Sequence, residues 1–123
     1  MPAKLRQQIL QVERIGKVTL VRFTLGDVLE LNTILLIGRQ LNSLVESGTR
    51  RLVVSFRDVN RLSTPLVGKL IELHHRLKAV RGALALCSIA PDLFEIFEIL
   101  KLPRLLSIHP TEQEALEGMG AGA

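Results

Sequence analysis

Asp58-Val-Asn-Arg-Leu-Ser-Thr-Pro-Leu-Val-Gly-Lys-Leu70 decides how this chain is read. An apolar run ends just before it, two hydroxyl residues meet a proline inside it, and apolar residues at helical spacing follow. Ser63 or Thr64 can cap the free N–H groups of a helix start, and Pro65 gives up an N–H that would have no intrahelical partner. The spacing therefore predicts a strand-to-helix junction, with a helix from Pro65 to Val80. In that helix Leu66, Leu70, Leu73 and Leu77 face inward, Val67 and His74 flank them, and Lys69, Glu72, His75, Arg76 and Ala79 face outward.

Upstream of the junction, Arg51-Leu-Val-Val-Ser-Phe56 is a short β-rich run of the kind buried on both faces of a sheet. Before it, Thr33 to Glu46 carries Ile34, Ile37, Gly38, Leu41, Leu44 and Val45 on one stripe. This is read as a helix capped by Asn32 or Thr33 and stopped by Gly48. Gly38 within the stripe predicts close approach to a strand, and Leu35 and Leu36 fall off it. Leu5 to Val12 and Val18 to Phe23 read as a strand pair joined at Gly16, and Leu25-Gly26-Asp27 ends the second strand.

Downstream, Gly82 is followed by a buried strand, Ala83 to Ser88, in which Cys87 is a small apolar member. Pro91 opens a helix with the stripe Leu93, Ile96, Phe97 and Leu100, and Asp92 suits its positive end. Leu102-Pro103 breaks that helix, Leu105 to Ile108 reads as a last short strand, and Thr111-Glu-Gln-Glu114 is a capping-box start for a terminal helix reaching Glu117. The alternation predicts an α/β domain whose mixed sheet opens with a hairpin and continues with parallel strands under about four helices. Residues 1–117 are expected to form a single domain, and 118–123 a flexible tail.

Composition narrows the function. The 123 residues are enough for a core without metal or disulfide staples, and four Phe with no Tyr or Trp make that core aliphatic. One cysteine and no signal-peptide pattern point to a reducing cytoplasm. The longest apolar run, Ile34 to Ile37, is far too short to span a bilayer. The net charge of +4 and a pI near 9.8 would tolerate nucleic acid, yet the basic residues are scattered and no Tyr or Trp can stack on bases.

No catalytic constellation appears. Val67-Gly68-Lys69 lacks the upstream glycine and the following hydroxyl of a phosphate-binding loop. Adjacent His74 and His75 diverge by about 100° on a helix, His109 stands alone, Cys87 lies inside a strand, and Glu95 and Glu98 form a solvated face. No metal or cofactor is expected.

The segment from Arg51 to Leu116 resembles a bacterial STAS domain, the fold of anti-sigma factor antagonists. The resemblance is carried by Leu-Val-Val-Ser-Phe56, by Val59 to Leu70, by Leu86-Cys-Ser-Ile-Ala-Pro91 and by the closing Leu102 to Leu116. The first fifty residues fit the family's hairpin and first helix by pattern. In that family a Ser or Thr at this helix start is phosphorylated by a partner serine kinase that also sequesters a sigma factor; phosphorylation releases the antagonist and a phosphatase resets it.

By register, Thr64 takes the acceptor's place, with Ser63 behind it. Ser63 stands where the family usually has Asp, and Pro65-Leu66 replaces Ser-Gly. The resemblance places the partner surface on Asn60, Arg61, Pro65, Lys69, Glu72 and Arg76, and admits a homodimer. From local chemistry alone, capping accounts for Ser63-Thr64-Pro65 as well as a switch does. A second implication is a constitutive accessory subunit of a lipid-transporting ABC machine, in which the same helix stabilises an ATPase without phosphorylation.

Overall fold

A computed structural model describes residues 9–120. In chain order the elements are β1 (Leu10–Ile15), β2 (Val18–Phe23), β3 (Asp27–Val28), α1 (Leu31–Glu46), β4 (Arg51–Ser55), β5 (Arg61–Leu62), α2 (Thr64–Ala79), β6 (Ala83–Cys87), α3 (Pro91–Ile99), a 3-10 turn (Leu102–Arg104), β7 (Ser107–His109) and α4 (Glu112–Gly118). The main sheet runs β1-β2-β4-β6-β7. Its first pair is antiparallel and the rest are parallel, as the alternation of elements predicts.

The hairpin turns at Gly16, whose φ of 62° is the left-handed conformation that glycine adopts without a Cβ clash. The expected first strand ran from Leu5 to Val12; β1 instead continues to Ile15, and residues 5–8 lie outside those described. The hairpin pairs Ile15 with Val18, so the strand runs up to its turn.

Period-two alternation sorts side chains between the two faces of the sheet. Val21, Phe23, Leu52, Val54, Phe56, Leu84 and Leu86 point to one face, where Ile34 and Ile37 of α1, Leu66, Leu70, Leu73 and Leu77 of α2 and Leu93 and Phe97 of α3 cover them. Val18, Leu20, Val53, Ala85 and Cys87 point to the other face, under Ala115 of α4. Both faces of the central strands are therefore buried, which is why β4 reads as an uninterrupted apolar run.

Several local expectations are corrected by tertiary contacts. Helix α1 begins at Leu31, with Glu30 at its N-cap and no side-chain cap, rather than at a cap on Asn32 or Thr33. The chain enters it straight from β3, and Ile34 N–H already bonds the Glu30 carbonyl at 3.0 Å. Gly38 approaches a helix rather than a strand: a Cβ there would lie 3.0 Å from Cδ of Lys69 on α2. Lys69 is consequently partly covered rather than fully outward. Leu100 ends α3 as an exposed C-cap, and the last strand is Ser107–His109 because the 3-10 turn consumes the residues before it.

At the far end Thr111 caps α4 as its box predicts, its hydroxyl accepting Glu114 N–H at 3.1 Å. The helix runs to Gly118, the half-buried Met119 packs under the sheet, and its carbonyl accepts Nη1 of Arg51 at 3.1 Å. Residues 121–123 lie outside those described.

Candidate functional site

The junction after β4 is held by a small parallel ladder that the sequence reading missed. β5 pairs with β3, Asp27 opposite Arg61 and Val28 opposite Leu62. The Gly26 carbonyl accepts the N–H groups of Asn60 at 2.6 Å and Arg61 at 3.2 Å. Val28, Val59 and Leu62 are buried beneath this ladder, so two residues of pairing are anchored by three apolar side chains. One signal was present: Asp27-Val28 and Arg61-Leu62 are each a charged residue followed by an aliphatic one, with opposite charges.

Asp27 and Arg61 meet in a bidentate pair, Nη2–Oδ2 at 2.6 Å and Nε–Oδ1 at 3.2 Å. The guanidinium holds the Asp27 carboxyl below its ordinary range, mainly by hydrogen bonding. Both side chains are exposed, so the pair serves register more than stability.

The ladder sets the fate of the two hydroxyls. Ser63 occupies the N-cap position with extended backbone, φ −112° and ψ 159°, but its side chain makes no cap. Its N–H bonds the Val28 carbonyl at 3.1 Å, and its hydroxyl donates to the Leu29 carbonyl at 3.1 Å. The capping role expected of Ser63 is thus replaced by a tie to the segment before α1. Thr64, the first helical residue, is exposed, as is Pro65 beside it. The first turn offers an anion few donors, since Pro65 has no N–H and Leu66 N–H already bonds the Ser63 carbonyl at 3.0 Å.

Helix α2 presents Thr64, Gly68, Glu72, His75, Arg76 and Ala79 outward. Nothing lies within 4 Å of a Cβ built at Gly68, so this face is open. Lys69 and Glu72 pair at 3.5 Å. Asn60 and Arg61 sit at the ladder and Pro65, Lys69, Glu72 and Arg76 follow along α2, so the expected partner residues form one continuous rim. Leu29, Leu31 and Leu35, which the sequence reading left unassigned or missed, are exposed beside it.

Other chemistry-bearing groups gather elsewhere. On the α4 face of the sheet, Nε and Nη2 of Arg22 donate to Glu112 at 2.9 and 2.8 Å, and the Ser55 hydroxyl donates to Glu112 at 2.5 Å. Hydrogen bonding to Arg22, against the opposing effect of burial and with help from Ser55 and Arg57, holds the Glu112 carboxyl down to about 2. That network clamps α4 to β2 and β4. Cys87 is buried, and burial pushes its thiol pKa up, away from a reactive thiolate.

His74 is half-buried, and burial, then His75 and Lys78, lower its pKa. A cavity of about 350 Å³ lies between Ile89, Pro91, Phe94, Ile108, His109 and Pro110, with His109 as its one ionisable side chain. Among the described residues, no group of three His, Cys, Asp or Glu side chains could hold a metal ion, and no helix is long and apolar enough to cross a membrane.

Comparison with known proteins agrees with this architecture. The fold matches an anti-sigma-factor antagonist (STAS) domain protein from Planctomyces limnophilus, TM-score 0.80 at 21% identity over 89% of this chain and 97% of that one. An anti-sigma factor antagonist from Mycobacterium paratuberculosis matches with TM-score 0.80 at 18% identity, covering 89% and 92%. The Bacillus cell fate determinant SpoIIAA in its phosphorylated form matches with TM-score 0.68 at 19% identity, covering 88% and 96%. At these identities the likeness is one of fold. The STAS domain family matches the sequence itself over residues 5–115, nearly its full length, and the chain belongs to that family.

Proposed function

We propose that this STAS domain is a cytoplasmic regulator of the anti-sigma factor antagonist type, which binds a partner serine/threonine kinase acting as an anti-sigma factor and is switched by reversible phosphorylation of Thr64. The observation that carries this reading is the division of labour between the two hydroxyls. Ser63 is tied to Leu29, whereas Thr64 stands exposed on the first turn of α2. Thr64, in register with the family's acceptor, can present its oxygen to an enzyme, whereas Ser63, in the place of the family's Asp, would first have to break its bond to Leu29.

In this reading the kinase transfers the γ-phosphoryl group of ATP to the Thr64 hydroxyl, releasing ADP and a proton, and a phosphatase removes it with water. The phosphate adds about −1.5 to −2 charges. With Pro65 lacking an N–H and Leu66 N–H committed to Ser63, the helix start stabilises that charge poorly, so the phosphate acts chiefly by repelling and desolvating what docks there. The partner rim is Asn60, Arg61, Pro65, Lys69, Glu72 and Arg76, contact with nucleic acid is not part of the function, and the domain itself performs no catalysis.

Incubation with its cognate anti-sigma kinase and ATP, followed by mass spectrometry, is expected to place phosphate on Thr64, and Thr64→Glu is expected to weaken kinase binding. Absence of label on 63 and 64 together with unchanged binding of Thr64→Glu would overturn the reading. Pro65 and the serine in place of a carboxylate favour a second one, a constitutive accessory subunit of a lipid-transporting ABC complex. Co-purification with an ATPase subunit, unaffected by Thr64→Glu, would select it.

A further inference from the structure

The aliphatic stem of Lys69 on α2 lies against Gly38 of α1, where a Cβ would be 3.0 Å from its Cδ. Counted from Gly38, residues seven and three before it and four after it share its edge of α1, which gives Leu31, Leu35 and Asn42. Counted from Lys69, residues four before it and three and seven after it share its edge of α2, which gives Pro65, Glu72 and Arg76. Both helices return from the sheet in the same direction, since each links parallel strands. The two edges therefore run side by side as the walls of one groove, apolar at the junction end and charged farther along.

The apolar end is exposed: Leu31 is 57% accessible and Leu35 37%, and Leu29 joins them at 41% through the segment that the Ser63 hydroxyl holds. Scattered leucines on a surface need no explanation, but three around one junction make a patch. Beyond it, Lys69 and Arg76 flank Glu72, which is already engaged with Lys69. The charged end thus has a net positive character, with the Arg76 guanidinium exposed.

We propose that the α1–α2 groove receives an amphipathic, acidic helix of the protein partner, its apolar residues on Leu31 and Leu35 and its carboxylates toward Lys69 and Arg76. This deepens the proposed function and rests on it for the identity of the partner. A helix laid in such a groove reads anchors at i, i+3, i+4 and i+7, the spacing both walls display. The groove also explains how a phosphate at Thr64 would act. It would sit at the apolar end, where it has to be desolvated against the leucines and would repel the partner's carboxylates.

The test is the affinity of the full chain for its cognate anti-sigma kinase, by calorimetry at 50 and 500 mM NaCl. The double variant Leu31→Ser/Leu35→Ser is expected to bind at least tenfold more weakly. Leu36→Ser, equally exposed on the other side of α1, should stay within twofold. Arg76→Glu should weaken binding severalfold and remove most of its salt dependence.

Equal affinity of the double leucine variant and wild type would overturn the groove, and tighter binding by Arg76→Glu would overturn the acidic occupant. Circular dichroism of each variant excludes unfolding as the cause. If Thr64→Glu loses binding while the leucine variant does not, the groove fails and the switch stands. If the leucine variant loses binding while Thr64→Glu does not, the switch fails and the groove stands.

Discussion

The Ser63 hydroxyl donates a hydrogen bond to the carbonyl of Leu29, 3.1 Å away and 34 positions earlier in the chain. That bond joins the entry of α1 to the entry of α2 and leaves Thr64 as the exposed hydroxyl. Removing it with Ser63→Ala should cost about 1 kcal/mol in urea unfolding, the usual net worth of one hydrogen bond. Thr64→Ala should stay within about 0.5 kcal/mol, as expected of an exposed side chain. Phosphate incorporation should show the opposite order, lost in Thr64→Ala and retained in Ser63→Ala.

Acid should loosen α4. The Glu112 carboxyl, held by Arg22 to about 2 from an ordinary value of 4.5, binds its proton less readily in the folded chain than in the unfolded one. Its contribution is therefore complete above about pH 4.5 and is lost as pH falls toward 2. Unfolding midpoints measured across that window should drop for wild type and drop less for Glu112→Gln. At neutral pH the variant should be less stable by roughly 1.5–3 kcal/mol, the range for a hydrogen bond to a charged group.

Two glycines, one inside α2 and one in the connection to β6, should respond with opposite signs. Gly68 lies within α2 with open space around a built Cβ, so Gly68→Ala should stabilise by about 0.5–1 kcal/mol through helix propensity. A Cβ at Gly82 would sit 2.5 Å from the Arg50 carbonyl, which already accepts Ala83 N–H at 2.8 Å. Gly82→Ala must move backbone and should cost about 1–3 kcal/mol. Thermal melts of the two variants, shifted to opposite sides of wild type, are the check.

Phe56 is the aromatic centre of the larger core. It touches Phe23 with ring centroids 5.1 Å apart and Phe97 edge-on at 5.8 Å, and it is fully buried. Phe56→Ala should lower stability by about 3–5 kcal/mol, enough to threaten folding of a domain this size. Denaturant unfolding of the purified variant, or failure to obtain it folded, reads this directly.

The sequence by itself determined what depends on near neighbours. Short apolar, β-rich runs placed β2, β4 and β6, three-to-four spacing placed the buried stripes of α1 and α2, and Thr111-Glu-Gln-Glu114 capped α4, because each signal lies within a few residues of the structure it encodes. The alternation of these elements then implied parallel connections, and the resemblance of Arg51 to Leu116 to a STAS domain pointed to the family to which the chain belongs. Only the tertiary structure decided what depends on contacts across long stretches of chain. Pairing of Asp27-Val28 with Arg61-Leu62 redirected Ser63 from a cap to Leu29, Lys69 of α2 came up against Gly38 of α1, and Arg22 found Glu112 across 90 positions. A two-residue strand or a single bond across the fold has no periodicity, so no local pattern records it; the position of Thr64 was legible, and its exposure was not.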